Sequence, residues 1–130
     1  MRAKGYISSR ALNNGITYDQ NIQNLIIRNF CENNNYFFLL SSTEFIMKNS
    51  FKMLYQLLHD CNEYDTIVFF SYHQLPKLTV IKRDLVNLFN KKKKICFAYE
   101  NIIIKNIIDL NHLNNEINIS KLLKYSPKKI

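Results

Sequence analysis

Asp65-Thr66-Ile67-Val68-Phe69-Phe70-Ser71-Tyr72-His73-Gln74-Leu75-Pro76 is the stretch that decides the fold. Its apolar run is too short for a helix, turns abruptly polar and then meets a proline. That predicts a buried strand delivering Ser71, His73 and Gln74 to a loop at its C-terminal end. The rest of the chain repeats the plan.

Upstream, Tyr36 to Leu40 is apolar throughout and rich in aromatics, the pattern of a strand covered on both faces, and it ends in Ser41-Ser42-Thr43-Glu44. Between the two strands, Met53, Leu54, Leu57, Leu58 and Cys61 form the apolar stripe of a helix, with Ser50 placed to cap it. Arg2 to Ser8 reads as the first strand and runs into Ser8-Ser9-Arg10. The Asn14-Gly15 turn signal beyond it makes the connection to the next helix longer than the usual stretch of about two to six residues. That helix starts from Thr17 or Asp19, carries Ile22, Leu25, Ile26 and Phe30 at helical spacing, and runs to about Glu32. Downstream of Pro76, Val80, Ile81, Leu85, Leu88 and Phe89 predict a third helix, and Ile95 to Tyr99 a fourth strand ending at Glu100.

Strands alternating with amphipathic helices require right-handed crossovers. The expected fold is therefore a small three-layer open α/β sandwich, with a mostly parallel sheet of four to five strands and helices on both faces. The 130 residues suit one domain, with a core over 1–100. The extension 101–130 holds Ile102-Ile103-Ile104, Ile107-Ile108 and Leu122-Leu123 among Asn and Lys, and fits an edge strand, helices, or a partly ordered tail. So many isoleucines beside a small domain also predict self-association into a homo-oligomer.

Composition narrows the partners. A formal charge of +8 suits an anionic ligand, but Asn and Ile make up roughly a quarter of the residues, and that bias toward Asn, Ile and Lys accounts for the charge without a nucleic acid. The run Lys91-Lys92-Lys93-Lys94 precedes its strand and so belongs to the sheet edge opposite the serine clusters, which also argues against nucleic-acid binding. Cys31, Cys61 and Cys96 are odd in number and widely spaced, the pattern of reduced core thiols and not of a zinc site or disulfide scaffold. No apolar run is long enough to cross a bilayer and no signal-like core follows Met1, so a cytoplasmic location is expected.

In a parallel sheet all strand C-termini point one way, so Ser8-Ser9-Arg10, Ser41 to Glu44, Ser71 to Gln74 and Glu100 are expected to converge on one edge, the edge where open α/β sheets bind ligands. Arg10 beside Ser8 and Ser9 fits a phosphate or carboxylate site, against the plainer reading of a solvated arginine. Ser41, Ser42, Thr43, Ser71 and Gln74 extend that polar lining, although serine and threonine also begin helices everywhere. His73 is the histidine placed at this edge and can move protons near neutral pH, whereas His59 and His112 read as surface residues. Glu44 fits an acid or base, or equally a carboxylate facing the next helix dipole. Glu100 fits a partner to Glu44 or an ordinary strand terminus, and Tyr72 and Tyr99 fit rings that stack on a sugar or base, or ordinary strand neighbours. No cofactor and no metal site can be named from these residues.

Two resemblances follow. Through Gly5-Tyr6-Ile7-Ser8-Ser9-Arg10, Gln23-Asn24 with Arg28, Leu39-Leu40-Ser41 with Thr43-Glu44, Ser71 with Gln74-Leu75-Pro76, Arg83, and Phe97-Ala98 with Glu100, the chain resembles the sporadic carbohydrate cluster proteins of bacterial surface-polysaccharide loci. That resemblance implies a role in making or modifying a surface glycan, through an enzyme acting on a phosphorylated or nucleotide-activated sugar or through a noncatalytic partner of such an enzyme. More distantly, the element order and the Tyr-led first strand resemble the catalytic domain of serine recombinases. Laying Tyr6 on that family's Tyr-x-Arg-x-Ser puts Ser8 at the arginine and Arg10 at the serine, and His73-Gln74-Leu75-Pro76-Lys77 lacks the arginines of the family's third-strand motif. That resemblance implies kinship of fold without strand exchange.

Overall fold

The computed structural model describes residues 1–9, 12, 15–44, 51–76 and 78–125, the last nine of these as backbone only. Five strands, β1 (Arg2–Ser8), β2 (Phe37–Glu44), β3 (Thr66–Phe69), β4 (Lys94–Phe97) and β5 (Ile102–Ile104), form one sheet in the order β2-β1-β3-β4-β5. The first four are parallel and β5 runs antiparallel to β4. The helices are α1 (Gln20–Asn33), α2 (Lys52–His59), α3 (Leu78–Asn90) and α4 (Ile107–Tyr125). The fold is the mixed α/β layered sandwich that the alternating pattern predicts, with β3 in the middle of the sheet.

The strand order explains where the helices lie. The chain steps from β1 outward to β2, then back across β1 to β3 and on to β4, so right-handed crossovers put α1 on one face and α2 and α3 on the other. The core divides accordingly. Tyr6, Ile67, Phe69, Ile95 and Phe97 pack with Leu54 and Leu58 of α2, Ile81 and Leu85 of α3, and Leu110 and Leu113 of α4. Ala3, Ile7, Val68, Phe70 and Cys96 pack with Ile27, Phe30 and Cys31 of α1. The segment after Asn101 is thus both an edge strand and a helix, entered through a turn whose Asn101 sits at φ 56°, where asparagine is tolerated. Among the described residues, no helix is long and apolar enough to cross a membrane.

Two expectations are corrected. In α1 the buried face is Gln23, Ile27, Phe30 and Cys31, while Ile22 and Leu25 are 48% and 59% exposed. Of the four residues read at helical spacing, Phe30 is in the core and Ile26 packs against it, while Ile22 and Leu25 lie off the buried face, whose other members are Gln23, Ile27 and Cys31. Second, β2 is not covered on both faces. It is an edge strand, with Phe37 69% and Leu40 76% exposed.

The β1–β2 register explains the exposed leucine. Lys4 pairs with Leu39 and Tyr6 with Ser42, so Leu40 and Ser41 together stand opposite Gly5 alone. This bulge pushes Leu40 outward and turns Ser41 toward α1, where its hydroxyl donates to Asn24 Oδ1 at 2.8 Å. Gly5 makes the close approach possible, because a Cβ there would fall on Ser41 Oγ and come within 3.3 Å of Ile27 Cγ2. The shift also sends Glu44 to the α2 face, whereas an unshifted register would aim it at the α1 face.

Candidate functional site

At the C-terminal ends of β1 and β3 two buried glutamines interlock. Gln23, in the first turn of α1, accepts from Ser8 N through Oε1 at 3.0 Å and donates through Nε2 to Ser8 O at 2.7 Å and Tyr18 O at 2.9 Å. Gln74 ends a short 3₁₀ turn, Tyr72–Gln74, and accepts from Phe70 N at 2.9 Å and Ser71 N at 3.4 Å. Its Nε2 donates to Gln23 Oε1 at 3.0 Å and to Ser8 Oγ at 3.2 Å. A buried carboxamide carries two donors and two acceptor lone pairs, and here they are met by strand-terminal backbone that would otherwise be orphaned. Ser71 closes the turn from its other end, accepting from His73 N at 3.2 Å.

The two candidate carboxylates are each engaged. Glu44 is buried and accepts from Met53 N at 3.0 and 3.1 Å, from Leu54 N at 3.4 Å and from Tyr6 OH at 3.2 Å. It therefore caps α2, whose own cap residue Phe51 offers no side-chain hydrogen bond. Ser50, the cap expected from sequence, lies outside the described residues. Glu100, in the turn after β4, accepts from Ser71 Oγ at 2.7 Å and Tyr72 N at 2.9 Å, fastening the ends of β3 and β4. Glu44 and Glu100 terminate strands three inter-strand spacings apart, roughly 14 Å, so each acts separately in any chemistry at this edge.

The remaining candidates divide. Ser8, Ser71 and Gln74 join the buried lattice. Ser9 sits half-buried above it, its hydroxyl donating to Glu44 O at 3.4 Å. His73 is half-buried with its ring edge-on to Tyr72, and among the described residues its ring nitrogens make no hydrogen bond. Ser41 and Thr43 lie within β2 on the α1 side, away from the lattice. Ser42 faces α2 and lines a cavity of about 140 Å³ with Lys4, Met53, Gln56, Asp60 and Glu63, on the flank of the sheet instead of its C-terminal edge. Arg10 lies outside the described residues. The lysine run is at the N-terminal edge, where Lys93 Nζ donates to Tyr64 O at 2.6 Å and Lys94 N to Asp65 O at 3.1 Å.

Two contributors were not among the candidate site residues, although Gln23 is one of those that carry the family resemblance. Gln23 was readable as a polar residue in step with Ile27 and Phe30 on a helix face, a place where a side chain needs buried partners. Tyr18 carried no signal; its ring meets Phe70 at 4.9 Å and Tyr99 at 6.0 Å, and the neighbouring Tyr99 side chain holds the Tyr18 phenol above its ordinary pKa. Among the described residues, no group of histidine, cysteine and acidic side chains could hold a metal ion.

Cys31, Cys61 and Cys96 are buried and free. Burial pushes Cys31 and Cys96 from the ordinary 9.0 up to about 11, and it raises Tyr64 in the same direction. Folded thiols keep protons that unfolded thiols release, so this contribution is intact below pH 9 and lost as pH rises through 11. The unfolding free energy from urea titrations is expected to fall across that window with a slope of up to about 1.4 kcal/mol per pH unit per thiol. Cys31→Ala with Cys96→Ala should flatten it, and an unchanged slope in that double variant would refute the assignment.

Compared with known proteins, the chain matches no protein-family model and no curated protein.

Proposed function

We propose that the chain works in bacterial surface-polysaccharide assembly, as an enzyme that binds a phosphorylated or nucleotide-activated sugar at the C-terminal ends of β1 and β3. The observation that carries this reading is the reversal of strand order at β1. From adjacent strand ends the chain leaves toward opposite faces of the sheet, which opens the crevice where α/β sheets take ligands. Ser9, just past the end of β1, and His73, in the turn after β3, are half-buried. The resemblance to the sporadic carbohydrate cluster proteins supplies the biological setting. Its residues are the ones that pair here: Ser8 with Gln23 and Gln74, Tyr6 with Glu44, Asn24 with Ser41, Ser71 with Glu100.

In this reading His73 transfers the proton, Ser9 and Arg10 receive the anionic group, and Glu100 orients Ser71 and Tyr72. A matching sugar phosphate or nucleotide sugar at 100 times its dissociation constant stabilises the fold by about 2.7 kcal/mol, which raises the melting temperature by several degrees. His73→Ala should keep that rise and abolish turnover. A panel of such ligands that leaves the melting temperature unmoved would remove the proposal.

A second reading, a noncatalytic partner of a glycan-assembly enzyme, is favoured by one observation: both carboxylates are engaged in capping and turn closure. It predicts a stable complex with such an enzyme, formed equally well by a His73→Ala, Glu100→Gln variant.

A further inference from the structure

Beside the crevice, β4 ends in a turn that presents an aromatic ring next to a carboxylate. Tyr99 N donates to Phe70 O at 2.8 Å and Asn101 N to Ala98 O at 3.2 Å, so the backbone on both sides of the ring is fixed. The ring is nevertheless 58% exposed, backed by Phe70 at 5.6 Å and Tyr18 at 6.0 Å. An exposed aromatic held this rigidly has little conformational freedom to lose when a flat ring settles on it.

Glu100 follows directly. Each of its oxygens accepts one hydrogen bond, Oε1 from Tyr72 N and Oε2 from Ser71 Oγ. A carboxylate has about four acceptor positions, so lone pairs remain on a half-buried group for hydroxyl donors. From this turn the end of β1 is two inter-strand spacings away, roughly 10 Å, in the direction where the anionic group is placed. An exposed ring and a carboxylate with free lone pairs, side by side about two strand spacings from the end of β1, match the base and ribose of a nucleotide whose phosphates reach that strand end.

We infer that Tyr99 and Glu100 form a nucleoside subsite, Tyr99 stacking on the base and Glu100 accepting from the ribose hydroxyls, so that the sugar ligand is carried on a nucleoside diphosphate. This rests on the reading that the β1–β3 crevice takes the anionic group, and the two fail differently.

The test is titration calorimetry of the full chain at fixed salt with the four ribonucleoside diphosphates, their free nucleosides, inorganic pyrophosphate and glucose 1-phosphate. At least one nucleoside diphosphate is expected to bind roughly tenfold more tightly than pyrophosphate, the size of one base–aromatic stack. Tyr99→Ala should cancel that advantage and leave pyrophosphate binding unchanged, Tyr99→Phe should retain it, and a 2′,3′-dideoxy form should bind several-fold more weakly. Pyrophosphate or glucose 1-phosphate binding as tightly as every nucleoside diphosphate overturns the subsite and spares the crevice. A free nucleoside binding as tightly as its diphosphate supports the subsite and overturns the anion site. Binding of none of these overturns both.

Discussion

Glu44→Ala is expected to lower the unfolding free energy by about 2–4 kcal/mol, against roughly 1 kcal/mol for Glu44→Gln. The alanine takes an acceptor from Tyr6 OH and from the Met53 and Leu54 amides, and removes the carboxylate from the start of α2. Glutamine still offers one oxygen to the same amides. Urea unfolding at neutral pH reads both changes, provided the dependence on urea keeps its slope. An alanine variant within about 0.5 kcal/mol of the parent, the range of an ordinary surface change, would mean that Glu44 does not hold α2. Glu44 also reads in the sequence as an acid or base, so any loss of the proposed turnover in Glu44→Ala should follow lost fold and should return in Glu44→Gln.

Gln74→Leu should cost about 3 kcal/mol, through unmet donors on Phe70 and Ser71 and the loss of one donor each to Ser8 Oγ and Gln23 Oε1. Gln23→Leu should cost a similar amount. The two glutamines share a hydrogen bond, so the double variant is expected to be less destabilised than the sum by about 1 kcal/mol or more. Strictly additive costs would show that the glutamines act independently. Hydrogen exchange locates the damage: protection should fall first at the Ser8 and Phe70 amides. Since these are the strand ends of the proposed ligand site, the proposal predicts that sugar-phosphate binding weakens in Gln74→Leu even at temperatures where the chain stays folded.

Much of this was legible in the chain because each element states its own burial. Thr66 to Phe70 reads as a buried strand, being a short, largely apolar run bounded by polar sequence, and Leu54, Leu57 and Leu58 as an inward helix face, and both are in the core. The convergence of Ser8, Ser71, Gln74 and Glu100 was also foreseeable, because parallel strands end on one edge whatever their order. The roles of those residues were not foreseeable. A glutamate after a strand is the same letter whether it binds substrate, caps a helix or closes a turn. The choice depends on which amides stand within 3 Å.

The sequence by itself determined the layered α/β architecture and the edge at which polar groups collect, since hydrophobic period and chain connectivity are local properties. Tertiary structure decided the strand order and the register of β2, where one bulge residue opposite Gly5 turns Glu44 toward α2. It also decided which face of α1 is buried, and with it the pairing of Gln23 with Gln74. Those outcomes depend on contacts between residues far apart in the chain, with energies set by the satisfaction of buried donors and acceptors, and no single segment carries that information.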